Sequence, residues 1–78
     1  MKKDEGAKIM AVKYVLNYNT FRKSSRLKED LTKIHLMWSE DDEFNRLFDK
    51  YCKELKESKG EMPLWARKIM AERYSLNV

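Results

Sequence analysis

Apolar positions recur along this chain mostly at spacings of three and four, the period of an α-helix with one buried face. The clearest stripe is Phe44, Leu47, Phe48, Tyr51, Cys52 and Leu55, with Arg46, Lys50, Lys53, Glu54 and Glu57 on the remaining faces. Ser39 precedes it as a candidate N-cap. Glu40, Asp41, Asp42 and Glu43 then occupy the positive end of the helix dipole. Gly60 offers a left-handed stop. Together these predict a helix over 40–59.

Pro63 opens a second helix at a position where a missing amide costs nothing. Leu64, Trp65, Ile69, Met70 and Tyr74 form its apolar side, and Arg67, Lys68 and Arg73 are left for solvent or a ligand. Upstream, Leu27, Leu31, Ile34 and Trp38 keep helical spacing, with Phe21 and Ser24 extending the stripe backward. Ser24 or Ser25 can cap this helix, which runs to about Met37; a start near Thr20 is an alternative. Between Ile9 and Tyr18 the pattern is double. Val12, Tyr14, Leu16 and Tyr18 alternate as in a strand, whereas Met10, Tyr14 and Tyr18 keep helical spacing. With no second strand to pair with it, the segment is read as a short helix ending at the Asn17–Thr20 break. The expected fold is all-α, a small bundle of three or four short helices over 8–78, with residues 1–7 as a frayed tail.

Composition narrows the function. At 78 residues, with two glycines and one proline, the chain has room for one modest core and few tight turns, which disfavours a sandwich or barrel. No apolar run is long enough to span a membrane, and the charged start is unlike a secretory signal, so a cytoplasmic location is expected. A single cysteine, Cys52, forms no internal disulfide framework, and on the apolar stripe its thiol is expected to be inert. His35 is the only histidine, and its neighbours Ile34 and Leu36 suggest a half-buried structural position. A Cys52–His35 dyad lacks an orienting third group. Residues 40–43 lack the glycine and alternating ligands of a calcium loop, and helix capping accounts for them. No Gly-rich phosphate loop is present. The sequence therefore predicts no enzyme, no metal, no cofactor and no small-molecule substrate, and leaves the oligomeric state open.

The net charge of +4 is unevenly placed. Residues 1–38 carry nine Lys/Arg against four Asp/Glu, residues 39–61 five against eight, and residues 62–78 three against one. No acid falls between Glu5 and Glu29, and Lys13, Arg22, Lys23, Arg26 and Lys28 lie in that window. Clustered cations with few base-reading side chains suit phosphate contacts. If the helix starts early, Arg22 and Arg26 share a face, with Lys23 beside them. The other reading is a solvated basic face. Tyr14, Tyr18 and Phe21 serve either as stacking platforms or as core. Trp65 is a core anchor or an interface anchor, with Arg67 on the same helix a further candidate interface residue, and Asp41 and Asp42 offer an acidic contact surface.

Tyr14, Leu27, Leu31 and Lys33, the helix start Trp38-Ser39-Glu40-Asp41-Asp42-Glu43, Leu47-Phe48 with Leu55, and Met62-Pro63-Leu64-Trp65-Ala66-Arg67-Lys68 follow one another in an order that resembles the Hha/YmoA family. Members are small helical proteins that bind the nucleoid-associated protein H-NS and modulate its action on DNA. The resemblance covers about residues 14–68. Lys28 and Cys52 fall near the places of the acids that hold the family's partner, so what the resemblance implies is the broader role of a helical accessory protein at a protein–DNA assembly. The Lys-, Asn- and Tyr-rich wording also suits a phage-encoded protein. Two functions follow as expectations. One is an accessory protein in transcription, recombination or replication that contacts nucleic acid, or a nucleoid-associated protein, through its basic amino-terminal face. The other is a pure protein-binding modulator or inhibitor docking through the acidic helix start or a patch around Trp65.

Overall fold

A computed structural model describes residues 2–16, 24–58 and 61–74. Among these residues there are four helices and no strand: α1 (Lys3–Leu16), α2 (Ser25–Trp38), α3 (Asp42–Glu57) and α4 (Leu64–Tyr74). The all-α bundle is as the periodicity predicts. The Asn17–Thr20 break, Tyr18, Phe21 and Gly60 lie outside the described residues.

Helix α1 is the hub, in contact with each of the other three and most extensively with α3. Its apolar residues are not confined to a stripe, and Ala7, Ile9, Ala11 and Val12 are all buried because neighbours surround it. The expected tail is corrected here. Residues 3–7 belong to α1, with Asp4 and Glu5 in its first turn and Gly6 and Ala7 in the core. A charged opening read as a solvated tail is in fact a helix start whose acids meet cations and hydroxyls of other helices.

The lack of a Cβ at Gly6 sets how closely α1 approaches α2. A Cβ there would lie 2.6 Å from Trp38 Cζ3 and 3.2 Å from its Cε3. Trp38 in turn stacks on Phe44, with ring centroids 5.6 Å apart and planes inclined by 17°. Leu27, Ile34, Phe44, Tyr51, Leu55, Ala66 and Met70 complete the core, with Tyr74 at its edge.

The caps explain the boundaries. Ser24 Oγ accepts from the Leu27 amide at 3.2 Å, which fixes the start of α2 at Ser25, and the alternative start near Thr20 lies outside the described residues. For α3 the cap is Asp41, not Ser39: Asp41 Oδ1 accepts from the Phe44 amide at 2.9 Å. Ser39 instead closes α2, donating its amide to the His35 carbonyl. The Pro63 carbonyl accepts from the Arg67 amide at 3.1 Å, so the proline opens α4 as expected. One residue of the α4 stripe is misplaced by the periodicity, because Leu64 is 82% exposed.

Polar contacts join the helices at three points. Lys3 Nζ lies 2.9 Å from Asp41 Oδ2 and 3.5 Å from Glu43 Oε2, tying the starts of α1 and α3. The Tyr51 hydroxyl donates to Asp4, and Lys8 and Lys50 flank the Tyr51 ring. Asp30, only 6% exposed, accepts from Tyr74 Oη at 2.8 Å and Arg73 Nε at 3.0 Å, while Arg73 Nη1 reaches Glu5 at 3.3 Å. Arg73, expected to face solvent or a ligand, is thus a structural tie between α1, α2 and α4.

Candidate binding groove

Met10, Lys13 and Tyr14 share one face of α1 by their three- and four-residue spacing. Leu31, Thr32, His35 and Leu36 of α2 face them across a cavity of about 530 Å³. A second cavity of about 280 Å³ continues past Met10, Tyr14 and His35 towards Ser39, Phe44, Asn45 and Phe48. The two share Met10, Tyr14 and His35 and together mark a groove lined by α1, α2 and α3. Tyr14 holds its wall by an edge-on contact with Phe48, centroids 5.8 Å apart, yet is 69% exposed. Leu36 on the opposite wall is 77% exposed, and the neighbouring Met37 is exposed as well. Among the described residues lining the groove there is no Asp or Glu.

The sequence-predicted site residues are scattered. Lys13 lines the groove. Arg26 and Lys28 are exposed on the first turn of α2, but two residues turn a helix by about 200°, so they leave it in nearly opposite directions. Arg22 and Lys23 lie outside the described residues, as does the early helix start on which a shared face of Arg22 and Arg26 depends. Asp41 is half-buried and engaged twice, by the Phe44 amide and by Lys3. The Lys3 ammonium and that amide hold its carboxyl below the ordinary range. Asp42 and Arg67 are exposed. Trp65 packs half-buried on Tyr51, centroids 5.1 Å apart, with its indole nitrogen buried and unpaired.

Other candidates fall into place by environment. His35 is exposed and borders the groove, not half-buried as its apolar neighbours suggest. Cys52 is half-buried on α3, and burial pushes its thiol up, away from the reactive thiolate. Among the described residues no group of three or more His, Cys, Asp or Glu is placed to hold a metal, and no helix is long and apolar enough to cross a membrane.

Burial alone pushes the Asp30 carboxyl up, but the hydrogen bonds from Tyr74 and Arg73 and the Arg73 charge outweigh it and hold it below its usual value. The Asp4 carboxyl is likewise low, chiefly through the Tyr51 hydroxyl and then Lys8. Tyr51 itself is pushed up to about 12 by burial and by the Asp4 carboxylate. These groups are spent on the fold, not on the groove.

The groove residues were visible in the sequence only one by one. In the sequence Met10 and Tyr14 keep helical spacing and Leu36 is only a neighbour of His35. Only the packing of α1, α2 and α3 brings them together. Comparison with protein-family models, with curated proteins and with solved structures finds no match for this chain.

Proposed function

We propose that the chain is a non-catalytic binding module that docks a protein partner in the groove between α1, α2 and α3. One observation carries this reading: Tyr14 and Leu36, two large apolar side chains, stand exposed on opposite walls of an apolar groove. Burying an exposed side chain of this size stabilises by about 1.5–3 kcal/mol, so two left in water at one groove favour a partner that covers them. The docking surface thereby moves away from Asp41, which is engaged in capping, and from Trp65, which packs on Tyr51. Replacing Tyr14 or Leu36 by Glu should leave helicity intact and abolish capture of the same cellular partner. Leu64→Glu, at an exposed site on α4, should not. Unchanged capture by both groove variants removes the proposal.

Phosphate contact is a second reading, supported by Lys13 in the groove wall and by Lys28. The latter stands one turn before Thr32 on the same side of α2, where the Thr32 hydroxyl donates to its carbonyl at 3.0 Å. It keeps the accessory role that the Hha/YmoA resemblance implies. Titration with duplex and single-stranded DNA at two salt concentrations decides it. Binding that weakens with salt supports it, and absence of binding at low salt removes it.

A further inference from the structure

We draw no further inference here: the strongest candidate, the apolar groove lined by α1, α2 and α3 with Tyr14 and Leu36 exposed on its walls, carries nothing beyond the docking reading above, because nothing in the structure shows what covers it.

Discussion

The Tyr74 hydroxyl donates to the Asp30 carboxylate across 2.8 Å, joining two helices through residues 44 positions apart in sequence. Arg73, the preceding residue, adds its Nε to the same oxygen at 3.0 Å. A carboxylate 6% exposed is tolerable only with such partners, because an unpaired buried charge costs several kcal/mol. Asp30→Ala should therefore destabilise the fold by about 3 kcal/mol, and Tyr74→Phe by about 1.5 kcal/mol. Urea denaturation of the double variant should show a loss smaller than the sum by about 1 kcal/mol, the coupling expected of groups in direct contact. Simple additivity would mean that the two residues act independently.

Acid should weaken the fold through the same group. The Asp30 and Asp4 carboxyls lie below their ordinary values when folded, so the unfolded chain binds more protons as pH falls. The stability they contribute is present above the unfolded carboxylate value, about pH 4, and is lost as pH drops through the lower folded values. Denaturation midpoints between pH 7 and pH 2 should fall for the wild type and fall less for Asp30→Asn. Alkali acts through Tyr51, whose folded value of about 12 is above its ordinary one. There the folded chain holds the extra proton, so stability should decline from about pH 10 through 12, and less so in Tyr51→Phe. Parallel curves for wild type and variants would show that these pairs do not set the pH response.

Gly6 makes an opposite-sign test of helix propensity. Glycine within a helix costs up to about 1 kcal/mol relative to alanine, so Gly6→Ala gains on propensity alone. The new methyl carbon would nevertheless sit 2.6 Å from the Trp38 ring, which cannot retreat without disturbing its stack on Phe44. Overpacking of this kind costs about 1–3 kcal/mol, and the net expectation is a loss near 1 kcal/mol. The melting temperature should drop by about 5 °C. Gly6→Ala placed in a Trp38→Phe background should recover part of the loss. A rise in melting temperature for the single variant would contradict the close approach.

How much was legible in the sequence follows from where each signal lives. The stripe from Phe44 to Leu55 was readable because α3 buries one face, so its period survives in the order of residues. Helix α1 was half-readable, since Ala7, Ile9, Ala11 and Val12 are buried around its circumference and a surrounded helix has no stripe. Its charged first turn looked like a tail because the partners of Asp4 and Glu5, Tyr51 and Arg73, are 47 and 68 positions away. The Asp30 tie was invisible for the same reason: no local rule links it to Tyr74. The groove is a harder case, because Tyr14 fits a helical pattern, Leu36 stands in sequence only beside His35, and their exposure on facing walls depends on how the helices pack.

The two serines that stand before helical patterns, Ser24 and Ser39, are not equivalent. Only Ser24 accepts a first-turn amide, from Leu27 at 3.2 Å. At the start of α3 that role belongs to Asp41, and Ser39 contributes only a backbone amide to the His35 carbonyl. Ser24→Ala should cost about 1 kcal/mol, the usual loss of an N-cap hydroxyl. Ser39→Ala removes no cap from an exposed position and should change stability by less than about 0.5 kcal/mol. Asp41→Ala should lower the melting temperature more than Ser39→Ala, because it removes both the Phe44 cap and the Lys3 ion pair. Amide exchange can locate each loss: the first turn of α2 should open in Ser24→Ala and the first turn of α3 in Asp41→Ala. A Ser39→Ala variant as damaged as Ser24→Ala would return the cap of α3 to Ser39.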